Sequence, residues 1–178
     1  MLDKLRTALV LLIIGAISGI LIFGTNELTF DDILQNRIDA ENNYYREIFD
    51  IDDSVVLKEE LIKNELTGDL NQEVLIETID GTLLGYVYRG SETNQYGDIT
   101  VLIGINLDGK ISQVVISNTT NTPNNVKKIE KNNLDPFSGQ DTDDLLFDTK
   151  TGSSYTYGSV SKFVQAASDY YNSNRGDE

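Results

Sequence analysis

Residues 148–160 read Asp-Thr-Lys-Thr-Gly-Ser-Ser-Tyr-Thr-Tyr-Gly-Ser-Val, a dense run of hydroxyl side chains around two glycines. The run opens a C-terminal segment, 159–171, whose apolar spacing predicts a helix. The first N–H groups of a helix lack intrahelical partners and carry the positive end of its dipole, so a hydroxyl-rich start of this kind suits a phosphate. Ser154 is the candidate nucleophile. A glycine nearby, Gly152, lets a second molecule approach the backbone with no Cβ in the way. For an isolated Thr-Gly-Ser-Ser a plain polar turn ending in an N-cap is much the commoner reading, so the residues around the run decide its meaning.

Composition narrows the chemistry. The 178 residues include no cysteine and no histidine. This excludes disulfides, thiolate-held iron–sulfur clusters, Ser-His-Asp and Cys-His catalysis, and most zinc sites. Redox chemistry here requires a bound organic cofactor. The formal charge is −15; with Asp3, Lys4 and Arg6 set aside, 12 basic and 28 acidic residues remain, a net of −16. Such a surface repels phosphate backbones, and nucleic-acid binding is not expected. Solubility alone accounts for the acidity.

Residues 7–26 carry no charge, and 8–23 are almost wholly Leu, Ile, Val, Ala and Gly. About twenty such residues make a helix long enough to cross a bilayer. No Ala-x-Ala site comes next at Gly24-Thr25-Asn26, which favours a retained anchor over a cleaved signal peptide. Lys4 and Arg6 before the span, and Glu27, Asp31 and Asp32 after it, predict a cytoplasmic N-terminus and an extracytoplasmic domain. Gly15 and Gly19 are a small-xxx-small pair on which another membrane helix can pack.

Beyond the span, Thr29 is expected to cap a second helix running to about Asp50, with Ile33, Leu34, Ile38, Tyr45, Ile48 and Phe49 as its apolar positions. A strand is expected over 54–62. Two hairpins come next: 73–79 with 82–89 around Asp80-Gly81, and 99–106 with 110–118 around Leu107-Asp108-Gly109. Residues 90–97, polar throughout, read as a loop. Pro123 starts a short helix through Val126, Ile129 and Leu134. In the last helix Val160, Phe163, Val164, Ala167, Tyr170 and Tyr171 form a buried face. The fold class is α+β: a transmembrane helix, then an antiparallel sheet with packed helices. The expected divisions are 1–28 for the cytoplasmic start and anchor, 29–53 for a linker helix, 54–174 for the domain and 175–178 for a tail. Asp141, Asp143 and Asp144 lack the spacing of a calcium loop and read as a solvated acidic turn. Tyr86, Tyr88, Tyr155 and Tyr157 are candidates for stacking on a flat ring, against the commoner role of packing.

Three stretches carry a family resemblance. Asp148, Thr151, Gly152, Ser153, Ser154 and Thr156 resemble the flavinylation motif of the FMN-binding domain family, as found in the G component of the Rnf complex and the C component of the sodium-pumping NADH:quinone oxidoreductase. There the order is Asp, two variable residues, Ser or Thr, Gly, Ala, then a Thr esterified to the FMN phosphate. Ser153 stands for the Ala and Ser154 for the acceptor Thr, which keeps the hydroxyl and drops a methyl that stiffens χ1. Residues 96–111, Tyr-Gly-Asp-Ile-Thr-Val-Leu-Ile-Gly-Ile-Asn-Leu-Asp-Gly-Lys-Ile, resemble that domain's central hairpin. Thr122 and Pro123 match its Glu-Thr-Pro-Gly turn in the flavin pocket, with Asn121, Asn124 and Asn125 departing from the pattern. Residues 25–33 are also similar to the segment just after the anchor in the Rnf component.

The resemblance implies a membrane-anchored electron-transfer subunit with FMN held by a phosphoester on Ser154, matured by a flavin transferase. It further implies other membrane subunits of an Rnf-type ferredoxin:NAD⁺ oxidoreductase as partners, coupled to sodium or proton movement. Under it, Asp148 positions the loop or holds the transferase's metal, and Thr151, Gly152, Ser153, Thr156, Thr122 and Pro123 border the cofactor. No residue acts as an acid–base catalyst. The rival readings are a flavin-free docking or assembly protein of the same fold and a stand-alone extracellular flavoprotein carrier.

Overall fold

The computed structural model describes residues 2–64, 66, 68–147 and 154–175 and divides into two compact units, 1–41 and 42–178. The first unit is helical. Helix α1 (Leu2–Phe49) contains a twenty-residue stretch, Arg6–Thr25, of mean hydropathy 2.5. That is long and apolar enough to span a membrane. The helix does not restart at Thr29. Instead the Thr29 hydroxyl donates back to the Thr25 carbonyl at 2.9 Å, and Thr25 to the Leu21 carbonyl at 2.7 Å. The reason lies in what the segment lacks. The chain's two prolines come later, at 123 and 136, and with nothing to break the ladder, propagation from an existing helix costs less than a new nucleus.

In the second unit, α1 ends at Asp50, whose φ of 51° breaks the helix, and the Ile51 N–H reaches back to the Arg46 carbonyl at 2.9 Å. Five strands come after it: β1 (Leu57–Asn64), β2 (Leu70–Thr78), β3 (Leu83–Asn94), β4 (Gly97–Asn106) and β5 (Ile111–Thr119). They form one antiparallel meander in chain order. Both Asp-Gly turns stand where the sequence puts them. The stretch 90–97 is not a loop. β3 continues to Asn94 and turns through Gln95-Tyr96 straight into β4, with Asn94 opposite Gly97. This half of the hairpin is built from polar cross-strand pairs, Ser91 with Thr100 at 3.0 Å and Thr93 donating to Asp98 at 2.6 Å, which an apolar-alternation search passes over.

The sheet is covered on both faces. On one, Ile99, Val101, Ile103 and Ile105 of β4 pack with helix α3 (Ser154–Arg175) and helix α2 (Pro123–Ile129). On the other, Leu102 joins Val74, Ile76, Val87 and Val115 under Tyr45 and Ile48 of the last turns of α1. A strand buried on both sides reads as the continuous apolar run that β4 shows. Two glycines set the helix distances. A Cβ on Gly90 would lie 2.4 Å from the Phe163 ring, and one on Gly104 would lie 2.0 Å from Ile48 Cγ2. After α2 the backbone passes through a π turn (Glu130–Leu134) and a 3-10 turn (Asp135–Phe137), burying Val126, Ile129, Leu134 and Phe137.

Helix α3 starts at Ser154, five residues ahead of the expected Ser159. Tertiary contacts extend it through Gly158: Thr156 and Tyr157 are buried, and Tyr157 stacks on Phe137 with centroids 6.3 Å apart. Its predicted inner face holds, with Val160, Phe163, Val164, Ala167 and Tyr171 buried and Tyr170 partly so.

Candidate functional site

Three segments meet at one end of the sheet: the β3–β4 turn, the link from β5 to α2, and the start of α3. Asn121 joins them. This side chain is 3% exposed; its Oδ1 accepts from Thr156 Oγ1 at 2.9 Å and from Asn94 Nδ2 at 3.1 Å, and its Nδ2 donates to the Asp98 carbonyl at 3.1 Å. Its own N–H is taken by Thr119 Oγ1 at 3.0 Å. A buried amide satisfied on both sides is a fixed strut rather than a spare group.

Asn94 is the second strut. Its Nδ2 also donates to Ser159 Oγ at 3.0 Å, one turn further along α3, and its Oδ1 accepts the Tyr96 N–H at 2.9 Å. The latter bond is an Asx turn, which sets the hairpin tip. Gly97, at φ 124°, comes next; a Cβ there would meet Thr120 Oγ1 at 2.4 Å, the same oxygen that accepts the Asp98 N–H at 2.8 Å. The tip and the first two turns of α3 are therefore bonded into one piece.

On that piece Ser154 is the exposed first residue of α3, and the first turn carries no acidic side chain. Its neighbour Tyr155 is 47% exposed and meets Tyr96, 41% exposed, edge to face with centroids 5.5 Å apart. Thr156 is fully buried, its hydroxyl spent on Asn121. Thr122 and Pro123 are exposed at the start of α2. Asp148, Thr151, Gly152 and Ser153 lie outside the described residues. The sequence singles out Ser154 and Thr156 but not Asn94, Ser159 or Tyr96 as site residues. The Asn-x-Tyr-Gly order at 94–97 is the signal for the turn. Of the stacking candidates, Tyr86, Tyr88 and Tyr157 are packed into the core side of the sheet, and only Tyr155 faces outward.

Two turns along α3, Lys162 is engaged by Glu92 and, at 3.0 Å, by Asp69. Its hydrogen bond to Glu92 raises the ammonium pKa. Burial raises the Glu92 carboxyl, but bonds from Lys162 and Ser159 outweigh it and hold that group below its ordinary range. Among the described residues no group of three carboxylates is placed to hold a metal ion.

An exposed serine at a helix start, with no acidic side chain in the first turn, fits an esterified phosphate, and the outward aromatic pair fits a flat ring beside it. Such an arrangement offers a mount for a bound group. Residues 94–169 match the family model described as the FMN-binding domain. That stretch begins at the Asn94 strut and ends within α3, so it includes Asn121, Ser154, Tyr155 and Ser159. The match supports FMN as the cofactor and a flavin-binding electron-transfer role. No curated protein matches the chain.

Proposed function

We propose that this chain is a membrane-anchored flavoprotein electron carrier whose FMN is joined through its phosphate to Ser154. The observation that carries the reading is the position of Ser154, exposed on the first residue of a 22-residue helix inside the stretch that matches the FMN-binding domain. Bound FMN supplies one- and two-electron redox chemistry that no side chain here can supply. Ester formation from free FMN would expel water and run uphill, so the donor is FAD, presented by a flavin transferase. The Ser154 Oγ–P bond forms, the pyrophosphate P–O bond breaks, AMP leaves, and the hydroxyl proton is released.

The chain's own residues then hold what has been attached. Backbone N–H groups at the start of α3 would offset the phosphate charge, and the Asn121 and Asn94 bonds to Thr156 and Ser159 hold the first turns of that helix to the sheet. Thr122 and Pro123 border the site, with Asp148, Thr151, Gly152 and Ser153 as the segment the transferase reads. Residues 6–25 anchor the domain, with Lys4 and Arg6 keeping the N-terminus cytoplasmic and the flavin outside, where a dissociable cofactor would be lost by dilution. An Rnf-type ion-translocating complex is the assembly that the motif resemblance favours.

One observation favours a second reading, a docking protein of the same fold that holds no flavin. Asn121 stands where the related turn carries Glu, and its amide is committed to internal bonds. Production of the full chain together with a flavin transferase separates the two. The first reading expects a band with ultraviolet-excited fluorescence on a denaturing gel, lost in Ser154→Ala, and a flavin-bearing peptide by mass spectrometry. An unmodified wild-type peptide rejects the flavoprotein, and an undiminished Ser154→Ala band moves the ester to Ser153.

A further inference from the structure

We propose that Tyr96 and Tyr155 form the seat of the isoalloxazine ring, an inference that rests on the reading of this end of the domain as the flavin site. Among the described residues of the second unit, these are the only two aromatic side chains that are exposed. They are far apart in sequence yet lie in contact, 5.5 Å between centroids with ring planes at 80°. One of them is the residue directly after Ser154.

Two nearly perpendicular rings make a corner: a flat heteroaromatic can stack on the face of one and abut the edge of the other, the two geometries aromatic pairs prefer. The corner is built before any ligand arrives. Tyr96 sits at the tip of a two-residue turn whose N–H is held by Asn94 Oδ1, and the same Asn94 donates to Asn121 and Ser159. Tyr155 is backbone-fixed in the first turn of α3, and its carbonyl accepts from Ser159 Oγ at 3.2 Å. Both supports converge on one network, so the two backbone positions that carry the rings are held in fixed relation. Preorganisation of this kind lowers the ordering cost of binding. The inner tyrosines do not compete, because Tyr88 and Tyr157 are sealed in the core and Tyr86 faces Arg175 and Tyr171.

The test is time-resolved flavin fluorescence on the full chain in detergent, flavinylated by the transferase, for wild type, Tyr96→Leu, Tyr155→Leu, and the Tyr→Phe and Tyr→Trp versions of each. A phenol in van der Waals contact donates an electron to the excited flavin and receives it back, so the wild-type lifetime is short. Each single Leu or Phe variant lengthens it in part, because the second phenol still quenches; the double Tyr96→Leu/Tyr155→Leu chain lengthens it severalfold, and Trp, also a good donor, restores the quenching. Tyr44→Phe, on α1, leaves it unchanged. Because both side chains are exposed, far-ultraviolet circular dichroism of every variant should match wild type. Equal lifetimes across the series at equal flavin content overturn the seat. If Ser154 proves unmodified, the same proteins are titrated with free FMN. Saturable quenching in wild type that the double Leu chain loses upholds the seat without the ester, and no saturable quenching in wild type overturns it.

Discussion

Replacing Asn121 with Ala should loosen the start of α3 more than any surface change in the domain. The side chain makes three hydrogen bonds, to Thr156, Asn94 and the Asp98 carbonyl. The groups left behind are not equally harmed. Asn94 keeps Ser159, and the Asp98 carbonyl keeps Thr119 Oγ1 and the Thr120 N–H, both at 2.9 Å. Thr156, fully buried, loses the acceptor its hydroxyl uses. At about 1 kcal/mol net for a bond between groups that find other partners, and about 1–3 kcal/mol for one stranded donor, the expected loss is about 2–4 kcal/mol. In a chain of this size that lowers Tm by roughly 5–12 °C. Thr156→Val alone should cost about 1 kcal/mol, but in the Asn121→Ala background it removes the stranded hydroxyl and should recover about 1–3 kcal/mol; the cycle then shows about 2–4 kcal/mol of coupling. Asn121→Asp adds a sign test. A carboxylate oxygen would face the Asp98 carbonyl, so the folded state favours the protonated acid and raises its pKa. That contribution is present in acid, below the unfolded value, and is lost as pH rises through the folded one. Thermal melts and amide exchange along α3 measure all three variants. A loss below about 0.5 kcal/mol for Asn121→Ala, or strict additivity with Thr156→Val, would refute the strut.

Two more outcomes concern the other fixings of α3. Arg175 Nε donates to Glu73 Oε1 at 3.1 Å, its guanidinium lies 3.9 Å over the Tyr86 ring, and Glu73 is 1% exposed. Arg175→Ala should therefore cost about 3 kcal/mol by urea titration, leaving a buried carboxylate with Tyr88 at 3.1 Å, whereas Arg175→Met with Glu73→Gln should cost clearly less. Burial and the Glu73 charge push the Tyr88 phenol well above its ordinary value, so it remains a donor throughout that titration. Gly90→Ala, forcing a methyl to 2.4 Å from the Phe163 ring, should cost about 1–3 kcal/mol, with part recovered by Phe163→Leu in the same chain.

The parts of the fold legible in the sequence are those where apolar pattern and turn chemistry coincide. β4 and β5 are apolar runs punctuated by Asp108-Gly109, and β2 and the near half of β3 are separated by Asp80-Gly81. The errors arise where tertiary contacts override local signals. Ser91 to Asn94 extend β3 because their partners on β4 are already in place, and Tyr155 to Gly158 are helical because Thr156 and Tyr157 have a core to enter. Thr29, a good cap by type, satisfies its hydroxyl within a helix that has no cause to stop. At the candidate site, Ser154 is visible from motif order alone, but Asn121 reads as a departure from a pattern. Only the folded chain shows that its amide ties α3 to two strands, since hydrogen-bond partners 27 and 35 residues away leave no local trace.

What the sheet gains from this arrangement is a helix held at three levels. Asn121 and Asn94 fix its first turns, the Phe163 ring seats against Gly90 at its middle, and Arg175 closes on Glu73 at its end. Bonds at one end alone would let the helix pivot; contacts along its whole length leave Ser154 little freedom relative to β4. A group attached to a helix so held is placed to within the tolerance of packed side chains rather than of a loop, and that is the condition under which a tethered redox ring can keep a constant distance to a partner. The same logic assigns different weights to the three fixings. Loss of Arg175 should lower stability while leaving flavin lifetime unchanged, because it acts at the far end. Loss of Asn121 should move both, because the strut carries the corner formed by Tyr96 and Tyr155.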